Sequence, residues 1–308
     1  MAANNVVGYE VVLADGSIVK ASATRNKDLF KALKGGLNNL GIVTKFVIKT
    51  FPAHGIYGGV MLFPWTQKEA VVKKLIDIVE GTTEHRADTG FVSLTWSPVL
   101  PDPNVAFITA TIDGVDNSTI FSNLPDLSPL INIRAKTPLT GLTAQLASTT
   151  SLYNVWYTLT IHNTIDIGRK VIQVFDGLAA ELQGQIEEPI QLIFVLTPLS
   201  KTYGDRGAGT ILGLDKLEQN SFVLQPEVIL PSQTQQALLK ETLREATAAI
   251  EDYATSTAQY IDWKYINYAN PEQNPLATYR AENGAFLYKT SRKFDPLRYF
   301  QSSEVGGV

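Results

Sequence analysis

The chain has 308 residues, 44% of them apolar and 18% charged, enough for one large domain or two ordinary ones with buried cores. Its 26 basic and 30 acidic residues leave a net charge of −4 with no basic run, which argues against nucleic acid or a polybasic membrane anchor as partner. With no cysteine there is no disulfide, thiolate nucleophile or cysteine metal site, and His54, His85 and His162 form no HxxxH or HxH pair, so no metal site is expected.

In chain order, YEVVL (Tyr9 to Leu13), Ala14-Asp15-Gly16 and SIVKAS predict a hairpin, because Asp-Gly supplies the positive φ of a tight turn. Asn26 is placed to cap a short helix, KDLFKALK, with Leu29, Phe30 and Leu33 on one face. Gly35 and Gly36 end that helix, and Gly41 leads into a β-branched and aromatic strand, IVTKFVIKTF. Beyond Pro52, strands are expected near 57–63, 90–96, 105–112, 130–135, 153–161, 190–197 and 221–229. Helices are expected near 66–80, 139–147, 167–183 and 232–254. Thr66 and Glu69 have the spacing of a capping box for the first of these. Pro226, inside the strand 221–229, lacks a ladder donor and points to a bulge or an edge. The pattern reads as α+β: one antiparallel sheet of seven strands covered by helices on one face. GDRGAGTILG (204–213) lacks the GKS or GKT ending of a phosphate loop and reads as a loop between strands.

No apolar run approaches bilayer length, and Met1-Ala2-Ala3-Asn4-Asn5 lacks the charged and apolar regions of a signal peptide. The chain as it stands reads as cytoplasmic, but its localisation is left open.

Two segments and the pattern between them resemble a known family. The first, VVGYEVVLADGSIVKASATRNKDLFKALKGGLNNLGIVTKF, is similar to the end of the PCMH-type flavin-binding domain in FAD-linked oxidases of the berberine-bridge-enzyme-like (vanillyl-alcohol-oxidase) group, fungal members above all. The other, YINYANPEQNPLATYRAENGAFLYKTSRKFDPLRYFQ, resembles that family's C-terminal element. The helix-covered sheet between them is similar to its substrate domain. The resemblance implies three parts: 1–53 as the C-terminal part of the FAD-binding domain, 54–262 as the substrate domain, and 263–308 as an element returning to the FAD domain. It implies FAD as cofactor, a small-molecule substrate (an alcohol, amine or secondary-metabolite intermediate) and O₂ as re-oxidant. The family's glycine-rich pyrophosphate segment and flavin-linking histidine belong upstream of this match, so the chain is read as a member lacking its first half. Thr210, where fungal relatives carry Asn, and Gln225-Pro226-Glu227 depart from the family pattern near the expected flavin-facing side of the sheet.

Candidate residues carry two readings each. Gly35, Gly36, Asn39 and Gly41 make a helix cap and a tight turn on their own terms. The resemblance adds contact with FAD at Gly36, Asn39, Gly41, Ile42 and Val43, and at Asn267 and Tyr268. In YINY, an extended backbone would put Tyr265 and Asn267 on one face. A phenol, with its ordinary pKa of about 10, needs a nearby cation or hydrogen-bond donor to serve as a base. Tyr265 is preferred to Tyr268 as the catalytic tyrosine. Glu227 and Tyr157 are candidates for taking a substrate proton as hydride leaves, against the plainer reading of strand residues. His162, Asp295-Pro296 and Glu187-Glu188 read as structural. The alternatives to an oxidoreductase are a cofactor-free substrate-binding or pericyclase-like domain and an inactive fragment.

Overall fold

The first hairpin forms where Asp15-Gly16 predicts it. Strands β1 (Val6–Val12) and β2 (Ile18–Ser22) pair antiparallel. Gly16 turns at φ +80°, and the Asp15 carboxylate accepts from the Ser17 N–H at 2.9 Å. Helix α1 (Lys27–Leu33) follows, with Leu29 and Ala32 buried and Phe30 and Leu33 packed beside them. Asn26 stands at its N-cap with left-handed backbone, but its side-chain amide donates to the Lys20 carbonyl instead of capping the helix. Strand β3 (Ile42–Ile48) then pairs with the other side of β1, completing the order β2-β1-β3.

This computed structural model describes residues 1–302 except 53–54, 82–83, 101, 117, 123, 147–152, 187 and 206–208. His54, Glu187 and part of the 204–213 loop lie outside the described residues. The chain divides into two units: residues 1–52, 201–218 and 274–308 form the first, and 53–200 with 219–273 the second. The sequence-derived boundaries at 53 and 262 differ in two places. Residues 263–273 pack with the second unit, and 201–218 pack with the first. Thr210, expected beside the substrate sheet, is thus buried in the first unit, where the Ile211 N–H donates to the Lys34 carbonyl at the end of α1.

The second unit runs β4 (Ile56–Pro64), α2 (Lys68–Glu80), β5 (Asp88–Trp96), β6 (Asn104–Thr111), β7 (Ile131–Asn132), β8 (Ala135–Thr137), α3 (Leu139–Leu146), β9 (Tyr153–Trp156), β10 (Leu159–His162), α4 (Ile165–Leu182) and β11 (Gln191–Leu199). After α5 (Thr202–Asp205), which belongs to the first unit, it resumes with β12 (Ser221–Leu230), α6 (Gln236–Ser256) and β13 (Tyr260–Ile261). Helices α7 (Ala281–Phe294) and α8 (Tyr299–Ser302) return to the first unit. There the buried Asp295 carboxylate accepts from the Tyr299 and Phe300 N–H groups at 2.9 Å each, which fixes the chain between α7 and α8.

All pairs in the large sheet are antiparallel, in the order β13-β10-β12-β11-β5-β6-β4-β7, with β8 on β4 and β9 on β12. It has ten strands where seven are expected: two expected strands are each divided in two, and β13 is added. One face packs on α2, α4 and α6 through one apolar core that includes Leu75, Phe107, Phe175, Phe194 and Leu243. The start of α2 is a correction. Trp65–Gln67 form a 3-10 turn, and no side chain caps the helix, so the Thr66–Glu69 capping box is not made. The Trp65 indole N–H and the Lys68 ammonium both bond the Asp176 carboxylate, which ties α2 to α4 instead.

Pro226 explains the division between β9 and β10. Glu227 pairs with Trp156 and Leu224 with Leu159, so the register runs unbroken across Tyr157 and Thr158. The Tyr157 N–H donates to the Pro226 carbonyl at 3.0 Å, but proline returns no donor, and the ladder lapses there. On the far edge, the Gln273 side-chain amide stands in for a peptide. It accepts from the Thr158 N–H at 3.0 Å and donates to the Thr158 carbonyl at 2.7 Å. Asn270 donates to the Trp156 carbonyl at 2.9 Å. Side-chain amides thus cover a sheet edge that would otherwise expose its peptide groups. Gln273→Ala should leave these groups unpaired and cost about 1–3 kcal/mol, read as a lower midpoint in urea with an unchanged slope.

Candidate active site

The face of the large sheet opposite the helices is the candidate site. Strand side chains alternate, so residues between the helix-side core positions point to this outer face. On β12 these are Ser221, Val223, Gln225, Glu227 and Ile229; on β9 and β10 they are Asn154, Trp156, Thr160 and His162, with Thr158 between the strands. On β11 and β5 they include Ile193, Val195, Thr197, Ser93 and Thr95. Much of this face is half-buried, apolar at the centre and dotted with neutral hydroxyl and amide groups. Among the described outer-face residues of β5, β6 and β9–β12, Glu227 is the one charged side chain.

Glu227 sits beside Trp156 across the ladder and accepts from Gln225 Nε2 at 3.2 Å. Burial pushes its carboxyl above the usual carboxylate range, because the charged form loses hydration. A carboxylate so placed is suited to take up a proton.

Tyr157 is one residue from Trp156 and therefore faces the other way. It is buried in the helix-side core, and its hydroxyl donates to Glu272 Oε2 at 3.1 Å. Burial, reinforced by the Glu272 charge, pushes this phenol up to about 12. That makes it harder to ionise, and the structure does not bring it to the face that carries Glu227. Tyr157→Phe should leave substrate turnover unchanged while lowering the melting temperature, a separation that kinetics and thermal unfolding read directly.

Tyr265, Asn267 and Tyr268 come together, though not on a strand. Ile266–Tyr268 form a 3-10 turn, so the extended YINY geometry is not adopted. The turn still lets the Asn267 amide donate to the Tyr265 hydroxyl at 2.9 Å, the kind of donor a reactive phenol requires. Tyr265 stacks on Trp263 at 5.9 Å and meets Tyr268 edge-on at 4.9 Å.

The glycine turn is filled by protein. A Cβ on Gly36 would stand 2.5 Å from the Ala32 carbonyl oxygen and 2.8 Å from Leu287. Gly41 has φ +144°, and a Cβ there would lie 2.7 Å from both the Val12 oxygen and Val11 Cγ1. Asn39 is wholly buried, its amide donating to the Gly36 carbonyl while its own carbonyl accepts from Ser291 and Gln301. Ile42, in contrast, is exposed at the start of β3, and Val43 is half-buried.

No family model matches the chain. Over 330 residues it is 28% identical to the FAD-dependent monooxygenase sdcF of Emericella nidulans, covering all of this chain and 65% of that protein. It is 30% identical over 316 residues to the bifunctional solanapyrone synthase of Alternaria solani, covering 99% of this chain and 59% of the relative. Among solved structures, 6-hydroxy-D-nicotine oxidase from Arthrobacter nicotinovorans superposes with a TM-score of 0.72 at 16% identity, covering 97% of this chain and 65% of that one. The carbohydrate oxidase from Microdochium nivale gives 0.70 at 20%, covering 99% and 67%. The chain is thus similar in sequence to fungal FAD-dependent enzymes and has the fold of these flavoprotein oxidases.

Several of the curated relatives are FAD-dependent monooxygenases by name, which supports an oxidoreductase with FAD as cofactor at the level of these relatives. The chain spans roughly three fifths of the length of those two curated relatives. Of the residues expected to meet the flavin, Gly36 and Asn39 are spent on protein contacts. In the first unit Ile42 is exposed and Val43 half-buried; in the second the Asn267 amide is exposed. No helix among the described residues is long and apolar enough to cross a membrane, and they contain no cluster of metal-ligating side chains.

Sequence reading missed Gln225, Trp156 and Gln273. The signal for the outer face lay in YNVWYTLTIH, where Trp156, Thr158, Thr160 and His162 alternate with Val155, Tyr157, Leu159 and Ile161.

Proposed function

We propose that this chain carries the substrate half of an FAD-linked oxidase that removes a hydride and a proton from a small, uncharged organic molecule such as an alcohol, with O₂ the expected acceptor. The observation that supports this most is the lone carboxylate, Glu227, on a half-buried face of otherwise neutral groups. FAD, when bound, supplies a hydride acceptor. In the second unit, which also carries Glu227, the residues expected to meet it are Asn267 and Tyr268.

The chain's own residues then have distinct tasks. The apolar side chains Ile193 and Val195 would hold the body of the substrate and exclude water. Glu227 would take the hydroxyl proton as the carbon–oxygen double bond forms, its raised affinity for protons matching that role. Tyr265, held by the Asn267 amide, would hydrogen-bond the same oxygen and orient it.

The test is purification of the chain with added FAD, followed by anaerobic addition of candidate alcohols. Flavin absorbance that travels with the protein and bleaches on substrate addition is the expected result. A folded protein that stays colourless with saturating FAD contradicts the oxidoreductase reading for this chain; tight binding of the alcohols by that colourless protein would support a cofactor-free ligand domain.

A further inference from the structure

Glu227 faces a difficulty that its surroundings only partly relieve. Burial favours its protonated form, and a carboxyl that already holds a proton cannot take another. No charged group on the neighbouring strands offsets this. Across the ladder stand Trp156 on β9 and Ile193 on β11, and beyond β11 stands Thr95 on β5. The outer-face rows next to these, Val195, Thr158 and Ser93, are neutral as well, and the nearest titratable side chain along this face of β10 is His162, which pairs at Ser221. Glu227's own strand supplies the remaining neighbour. Gln225, two residues away and on the same face, donates its Nε2–H to Glu227 Oε2 at 3.2 Å.

We propose that Gln225 is a positioning residue for Glu227, holding Oε2 so that Oε1 presents to the substrate and favouring the carboxylate over the acid. A carboxamide nitrogen only donates, so this bond is strongest when Glu227 is ionised. Pro226 contributes by location. It lies between the two side chains on β12, where the ladder toward Tyr157 has a single bond, and the unbroken register on either side keeps Gln225 and Glu227 on one face. This inference rests on the reading of Glu227 as the proton acceptor. Its physical core, the coupling between the two side chains, can be measured without cofactor or substrate.

The experiment follows thermal stability against pH for the full chain, its Gln225→Met and Glu227→Gln variants, and the double variant. The native state binds the Glu227 proton more tightly than the unfolded chain, so stability is lost as pH rises from the ordinary carboxylate range through the raised native value. In Gln225→Met this loss should move to higher pH and deepen. Met fills similar space without a donor, so a merely structural role would lower stability equally at all pH values. Glu227→Gln should remove the pH-dependent loss, and Gln225→Met should add no new pH dependence on that background. The acid limb of flavin reduction should move in Gln225→Met by the same shift, with KM changed less than kcat. An unmoved pH profile in Gln225→Met overturns the proposal, whatever its effect on overall stability. If the stability profiles couple as expected but Glu227→Gln keeps full turnover, the positioning for catalysis fails because Glu227 is not the base. The two failures are therefore distinguishable.

Discussion

Replacing Glu227 by Gln should slow substrate-driven flavin reduction by about 10²- to 10⁴-fold, the usual worth of a positioned general base. The change keeps size and polarity, so binding of the substrate should alter much less than the rate. The same substitution should make the protein more stable at neutral pH. A buried carboxylate with one neutral donor costs hydration that a glutamine does not. Below the ordinary carboxylate range, where Glu227 is protonated in both states, that advantage should vanish. Loss of rate combined with gain of stability is the mark of a group kept for function. A structural glutamate would show the reverse.

The second large effect lies in the first unit. Gly41→Ala should cost about 3 kcal/mol or more. The backbone at φ +144° is nearly exclusive to glycine, which alone carries about 1–3 kcal/mol of strain for another residue. The added methyl would also stand 2.7 Å from the Val12 carbonyl oxygen and from Val11 Cγ1, and neither can swing aside as a flexible side-chain tip would. The expected readout is a folded second unit, whose core is separate, beside a first unit that exchanges its amide hydrogens rapidly. Gly16→Ala is the control: it shares a positive φ but has no atom within 4 Å of the added methyl, so it should cost far less.

GGLNNLGIVT was legible as a turn from its glycines, and as a family mark from its company. Why each glycine is needed was not legible. Beside the local Ala32 oxygen, the atoms that close on Gly36 and Gly41 come from Leu287 and from β1, which chain order alone does not bring near. The large sheet was readable strand by strand, because alternation and β-branched runs are local signals. The three extra strands were not: the expected strands at 130–135 and 153–161 are each divided, and β7, β8 and β13 are only two or three residues long and are defined by the partners they find. Pro226 pointed to a bulge or an edge, and it marks neither: β12 is paired on both sides in unbroken register, and the missing donor shows only as the lapse between β9 and β10. Tyr157 and Glu227 were indistinguishable as strand residues with chemistry. Parity relative to the core separates them, and it needed only the alternation of Val155, Tyr157 and Leu159 against Trp156 and Thr158. The Gln225–Glu227 bond, in contrast, depends on rotamers, and spacing two residues apart shows only that they share a face.

The central claim is that the face of the large sheet opposite α2, α4 and α6 is where the substrate loses its proton, to Glu227. Its most direct test is the pH profile of anaerobic flavin reduction by stopped flow, with the parent and Glu227→Gln compared on one substrate. The account predicts an acid limb in the parent, set above the ordinary carboxylate range, and its disappearance along with most of the rate in Glu227→Gln. A variant that keeps both the parental rate and the parental limb would contradict it.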